Sequence, residues 1–218
     1  VHVETAARLA RIAKQQGALQ FVHMSARGAE IGGTSKYAQS KARGEEAVHT
    51  FFPGAVIIRP SVVFGPEDRF FNLFATLAKF LPALPLIGGG GTKLQPVYVG
   101  DVAEAMLLCL RRKEAEGQIF ELGGPEVYSL RAIMELMLRI TGRKRWLFDL
   151  PWGQAKFHAA LYEMLPLPRP LLTRDQVELL KRDNVLQGAG AKVFRDLGVS
   201  PTAAEIILPT YLGRFHKG

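Results

Sequence analysis

Residues 19–66 read LQFVHMSARGAEIGGTSKYAQSKARGEEAVHTFFPGAVIIRPSVVFGP. They open on a strand-like run, 19–25, whose apolar members are continuous rather than alternating, as in a strand covered on both faces. A polar, glycine-bearing stretch over 27–34 follows, then a helical pattern over about 35–50. A second buried strand, AVIIRPSVVF, is closed by Gly65-Pro66. Strand, loop, helix, strand at this spacing is the rhythm of a parallel α/β sheet.

Working outward, residues 4–16 place Ala6, Leu9, Ala10, Ile12 and Ala13 near one helical face, and Gly17 ends the run. Downstream, a helix is predicted over 70–80, with Glu67-Asp68 as its cap. The segment LPALPLIGGGGTK reads as a Pro- and Gly-rich lead into a short strand, QPVYV. Asp101, with Glu104 three residues on, reads as a capping box opening a helix to about Arg112. A strand over 117–124 precedes Ser129, the expected cap of a helix over 130–141 ended by Gly142. Residues 146–172 carry Trp146, Phe148, Trp152, Phe157, Tyr162 and several prolines, and read as a short amphipathic helix between proline-rich turns.

Composition narrows the classes. Apolar residues at 48% and charged residues at 22% are ordinary for a globular chain that buries a core, so disorder and collagen-like structure are excluded. No run approaches the roughly 20 apolar residues of a membrane-spanning helix. Cys109 is the single cysteine, reads as a small buried hydrophobe within AMLLCL, and fits a reducing compartment. The formal charge of +8 calls for or tolerates an anionic partner. The basic clusters Arg111-Arg112-Lys113 and Arg143-Lys144-Arg145 are not interleaved with aromatics, so no nucleic-acid partner is expected. His2, His23, His49, His158 and His216 show no metal-ligand spacing, and no metal site is expected.

The candidate chemistry lies on the helix over 35–50. Tyr37 and Lys41 are four apart, on one helical face about one turn from each other. A phenol that exchanges a proton near neutral pH starts from a pKa of about 10, and a neighbouring ammonium favours its ionised form. The spacing alone is weak, since roughly one shuffled chain in four would show Y-x-x-x-K. Its plain alternative is a packed tyrosine beside a solvated lysine. Ser25 adds weight because it closes the preceding strand, where parallel α/β sheets bind ligands. Arg59, Pro60, Ser61, Val62 and Val63 lie toward the end of the next strand.

Ser25, Tyr37-Ala-Gln-Ser-Lys41 and RPSVVFGP resemble the extended and atypical short-chain dehydrogenase/reductase superfamily. That resemblance implies an α/β fold: the C-terminal part of a Rossmann-type doubly wound parallel sheet over 1–112, with a smaller mixed substrate-side lobe over 113–218. It further implies Ser25, Tyr37 and Lys41 as the active-site triad, with Tyr37, Lys41, Arg59, Pro60, Ser61, Val62 and Val63 on the cofactor, NADP(H) or NAD(H). The longer motifs RPSVVFGPEDRFFN, QPVYVGDVAEAM, LLTRDQVELLKRDNV and DLGVSPTAAE resemble one branch, the NADPH-binding accessory subunit of respiratory complex I and its bacterial homologues. That branch implies a nucleotide-holding accessory or assembly role, complex I subunits as partners, and a peripheral place at the mitochondrial matrix side or the bacterial cytoplasmic face. Membrane contact is expected through 146–172.

The family's G-x-x-G-x-x-G loop is missing and is expected upstream of Val1, so the chain reads as N-terminally truncated. Gly88–Gly91 and the Gly188-Ala-Gly190 segment read as turns. The alternative function is an active oxidoreductase or epimerase with Tyr37 as acid/base, Lys41 as its modifier and Ser25 as oxygen positioner. The apolar stretch over 70–87 offers few polar groups for a sugar and leans toward an apolar ligand or none.

Overall fold

The computed structural model describes residues 3–165, 170–187 and 190–216. The first elements are α1 (Glu4–Gln15), β1 (Val22–Met24), α2 (Lys36–Phe51), β2 (Val56–Pro60), β3 (Val63–Phe64) and α3 (Phe70–Phe80). After them come β4 (Ala83–Ile87), β5 (Lys93–Leu94), β6 (Val97–Tyr98), α4 (Val99–Arg111), β7 (Ile119–Leu122) and β8 (Tyr128–Ser129). The chain continues with α5 (Leu130–Ile140), β9 (Trp146–Leu150), α6 (Trp152–Met164), α7 (Arg174–Leu179) and α8 (Ala204–Leu212).

β1, β2 and β7 form a parallel sheet in the order β1-β2-β7, with Val22 opposite Val56 and Ile57 opposite Ile119. Alternation along β2 and β7 shows why their sequences are apolar throughout. Ile57 and Ile119 pack with Ala10, Val48 and Phe52 of the α1–α2 side. Val56, Ile58, Phe120 and Leu122 pack with Val102, Ala105 and Cys109 of α4. Both faces are thus covered by helices, the doubly wound arrangement expected from the sequence. Cys109 is fully buried, as its surroundings implied.

A second cluster joins α3, β4, α5 and α8 around Phe64, Phe71, Leu84, Met134 and Leu208, all essentially buried. Side chains of this size each contribute about 1.5–3 kcal/mol on full burial. Ser129 caps α5, accepting from the Ala132 amide at 3.0 Å. Asp68 caps α3, accepting from the Phe71 amide at 2.6 Å.

Several expectations are corrected. The run AVIIRPSVVF is two strands: β2 stays in the main sheet while β3 pairs with β6. Pro60 has no N–H to continue a ladder, and the Ser61 amide makes the last bond to Leu122 before the chain departs. The proline-rich lead contains β4, which pairs in parallel with β9. Residues 146–150 are therefore a strand, followed by α6; residues 166–169 of this segment lie outside the description. The stretch over 70–87 is core, with Phe71, Ala75, Ala78, Leu84 and Leu86 buried, so its apolar character reports packing. Leu9 and Ile12 remain 54% and 40% exposed while Ala10 is buried, so the packed face of α1 is narrower than its sequence pattern.

Asp101 is not a helix cap. α4 begins at Val99 after Tyr98, and the buried Asp101 carboxylate instead accepts from the Thr202 amide at 2.6 Å and its hydroxyl at 2.9 Å. The glycines over 88–91 make a turn in which Gly88 has φ +63°, and a Cβ there would lie 2.0 Å from the Trp152 ring. Of the other glycine segment, Gly188 and Ala189 lie outside the described residues. The division at 112/113 falls between α4 and β7, yet β7 completes the sheet with β2, and Phe194 and Leu197 pack into the same core.

Candidate functional site

At the carboxyl ends of β1 and β2 the chain surrounds a cleft of about 1000 Å³. Ser25, Tyr37, Lys41, Pro60, Ser61, Val62 and Val63 all line it. Arg59 is not among the lining residues. Ser25 follows β1 directly and is held by the hydrogen bond its backbone N–H donates to the Ile58 carbonyl at 2.7 Å. α2 brings Tyr37 and Lys41 to the opposite wall.

Glu45 organises the inner end. It lies four residues beyond Lys41, is buried, and accepts the Ser25 hydroxyl hydrogen. The same carboxylate takes a two-pronged bond from Arg59, Nε at 2.9 Å and Nη2 at 2.6 Å. Arg59 is in turn 4.0 Å from Glu121, its register partner on β7, and Glu121 is 3.3 Å from Arg27. Two carboxylates and two guanidinium groups thus alternate beneath the cleft. Glu45 and its hydrogen bonds push the Arg59 pKa upward.

The proton chemistry departs from the sequence expectation. Burial lifts the Tyr37 phenol above its ordinary pKa, even though the residue stays 39% exposed at the rim. Burial lowers the Lys41 ammonium, while Glu45 pulls it back up. Lys41 Nζ donates to the Met24 carbonyl at 3.2 Å and stands 5.8 Å from the centre of the Tyr37 ring. A Ser25 hydroxyl that donates to Glu45 retains lone pairs and offers them as an acceptor. Asn184 also lines the cleft, and its buried Oδ1 has no hydrogen-bond partner among the described residues.

The far wall comes from α7 and the residues after it, including Glu178, Leu179 and Arg182. Arg182 pairs with Glu30, Ser61 Oγ donates to the Asn184 carbonyl at 2.9 Å, and Arg27 Nε donates to the Val185 carbonyl at 3.0 Å. Asp175 reaches the N-terminus of α2, accepting from the amides of Lys36 and Tyr37. Among the described residues no His, Cys, Asp and Glu group is arranged to hold a metal ion.

A model of the NAD dependent epimerase/dehydratase family matches residues 1–123. The chain belongs to that family. The Rossmann-type fold agrees: the NAD-complexed UDP-glucose 4-epimerase of Thermus thermophilus superposes with a TM-score of 0.70 at 22% identity, over 99% of this chain and 70% of the epimerase. Sequence similarity is higher elsewhere. The NADH dehydrogenase [ubiquinone] 1 alpha subcomplex subunit 9, mitochondrial, of Arabidopsis thaliana is 35% identical over 98% of this chain and 55% of its own length. The mitochondrial NADH-ubiquinone oxidoreductase 40 kDa subunit of Neurospora crassa is 32% identical over 97% and 54%. The chain therefore spans about half the length of these curated relatives.

Within this epimerase/dehydratase member, sequence reasoning missed Glu45, Asn184 and Asp175. Glu45 had a signal, since Tyr37, Lys41 and Glu45 repeat every four residues along one face of α2. Asn184 and Asp175 lie within LLTRDQVELLKRDNV, one of the motifs that carry the resemblance, but nothing local assigns either side chain to a helix or cleft more than a hundred residues away.

Proposed function

We propose that this chain forms the nicotinamide-side part of an NAD(P)-holding accessory or assembly subunit of respiratory complex I, the NADH:quinone oxidoreductase. One observation carries the reading: the cleft unites Ser25, Tyr37 and Lys41, while the Ser25 hydrogen is already committed to Glu45. A serine in that state accepts hydrogen bonds well and polarises a substrate carbonyl poorly, which suits holding better than turnover. The similarity to complex I subunits along nearly the whole chain supports the same role.

The acceptors of the cleft suit a nicotinamide nucleotide. Asn184 Oδ1, which has no hydrogen-bond partner among the described residues, and the Ser25 lone pairs offer acceptors suited to carboxamide or hydroxyl hydrogens. Tyr37 and Lys41 would hold the ribose, and Pro60, Ser61, Val62 and Val63 the nicotinamide face; Arg59 supports the site through Glu45. When bound, the nucleotide supplies a hydride donor or acceptor. The chain's own residues orient it and keep one side of it from water.

Partners would be subunits of the complex at the matrix side or the cytoplasmic face. Trp146, Phe157 and Met164, at 84%, 69% and 82% exposure, offer apolar surface for a partner or the bilayer boundary. No described helix is long and apolar enough to cross a membrane. The test is purification of the full-length protein with mass spectrometry of what denaturation releases. Co-purification with a quinone-reducing complex and release of NADPH or NADH is expected; recovery as a free protein without nucleotide overturns the proposal.

The second reading is an active oxidoreductase or epimerase. It draws on the assembly of Ser25, Tyr37 and Lys41 around one cleft. In it Tyr37 moves a proton at the substrate oxygen, Lys41 tunes the phenol and Ser25 positions the oxygen. Tyr37→Phe in the full-length protein abolishes turnover of a substrate under this reading; unchanged turnover removes Tyr37 from the chemistry.

A further inference from the structure

The N-terminus of α2 leaves backbone N–H groups without helical partners, and Tyr37 is the second residue of that first turn. Ser35 serves one of them, accepting from the Ala38 amide at 3.2 Å. The amides of Lys36 and Tyr37 are served from the other end of the chain. Asp175 Oδ1 accepts from Lys36 at 2.7 Å and Oδ2 from Tyr37 at 3.1 Å. Oδ2 also accepts the Ser35 hydroxyl hydrogen at 3.0 Å, so the capping serine is itself oriented by Asp175.

The capping hydrogen bonds of α7 do not use the Asp175 side chain. α7 carries a complete capping box, with Thr173 Oγ1 accepting from Gln176 and the Gln176 side chain accepting from the Thr173 amide at 2.9 Å. Both carboxylate oxygens are therefore spent on α2, where a negative charge also meets the positive end of the helix dipole. Shortly after Asp175, Glu178, Leu179 and Arg182 line the same cleft as Tyr37.

We propose that Asp175 is a positioning residue for Tyr37: its carboxylate fastens the first turn of α2 and thereby ties the orientation of the phenol to the docking of residues 173–187. The tie stands on these contacts. What Tyr37 does once placed rests on the reading of the cleft given above, and the test requires no nucleotide, so the two can fail separately.

The experiment is single-residue amide exchange on the full chain, comparing wild type with Asp175→Ala, Asp175→Asn and the control Thr173→Val. Loss of a cap typically raises local opening about five-fold. Asp175→Ala is expected to speed exchange at Lys36 and Tyr37 by that factor or more, while amides over 42–48 stay unchanged. Asp175→Asn keeps one neutral acceptor oxygen of the two and gives an intermediate rise, which also serves if the alanine variant fails to fold. Thr173→Val frays α7 with a smaller effect on Lys36 and Tyr37. In the same samples, ring-labelled tyrosine NMR should show the Tyr37 titration moving down toward that of a free phenol in Asp175→Ala. Wild-type exchange at Lys36 and Tyr37 in both Asp175 variants overturns the proposal. So does an equal rise throughout α2, which marks a general loss of stability.

Discussion

Replacing Glu45 by alanine removes the carboxylate that holds Ser25 and Arg59 together beneath the cleft. Breaking a buried ion pair costs about 3–5 kcal/mol, because the surviving charge is left without compensation. Two features reduce that here: the Arg59 side chain is 25% exposed, and Glu121 remains 4.0 Å from it. The Ser25 hydroxyl, 3% exposed, loses its acceptor as well. Together these place the loss for Glu45→Ala at about 2–4 kcal/mol. Glu45→Gln keeps an acceptor for Ser25 but removes the charge, and should lose about 1–2 kcal/mol. Urea unfolding with an unchanged denaturant slope measures both. Because the pair is largely buried, the loss should persist in about 1 M salt, where the Debye length falls to ~3 Å. A double-mutant cycle with Arg59→Met should show strong coupling. A loss below about 0.5 kcal/mol for Glu45→Ala, or one that vanishes in salt, would place it among ordinary surface pairs and refute the reasoning. Since Glu45 raises the Lys41 pKa, Glu45→Gln should also let that pKa fall further, which NMR of the lysine side chain would follow.

Three further outcomes are expected. Burial pushes the Cys109 thiol from 9.0 to about 11, and Tyr128 and Tyr211 upward as well. Groups whose folded pKa is raised hold their protons longer in the folded state, so the stability they contribute is full below the unfolded pKa and lost as pH rises through the folded one. Denaturant midpoints should thus decline from about pH 9 upward, opposed in part by Lys41, whose lowered pKa acts with the opposite sign; a flat profile to pH 11 would contradict this. At pH 8, Cys109 should react with a thiol reagent only as the chain unfolds. Asp101→Ala and Thr202→Val should each cost about 1–3 kcal/mol and couple strongly in a cycle, whereas independent effects would restore Asp101 to a local helix role.

The sequence legibility of this molecule follows the range of the interactions. The parallel rhythm over 19–66, the span of α2, the caps at Asp68 and Ser129, and the burial of Cys109 all rest on neighbours within a few residues. Asp101 shows how a local pattern misleads: its capping-box spacing is real, but a distant Thr202 outcompetes the helix for both carboxylate oxygens. β4 was hidden because Pro85 within it, Pro82 before it and the glycines after it resemble a loop, while its partner β9 arrives over fifty residues later.

What the sequence by itself determined is the helix that sets Tyr37, Lys41 and Glu45 on one face, and the strands that bring Ser25 and Ser61 to its side. Helical and strand periods write that information into residue spacing. Only the tertiary structure decided how the site behaves: that Ser25 gives its hydrogen to Glu45, that Arg59 turns to Glu45 and Glu121, that burial raises Tyr37, and that Asp175 closes the first turn of α2. Those choices depend on which donors, acceptors and charges meet after folding, and such meetings between distant residues leave no period in the chain.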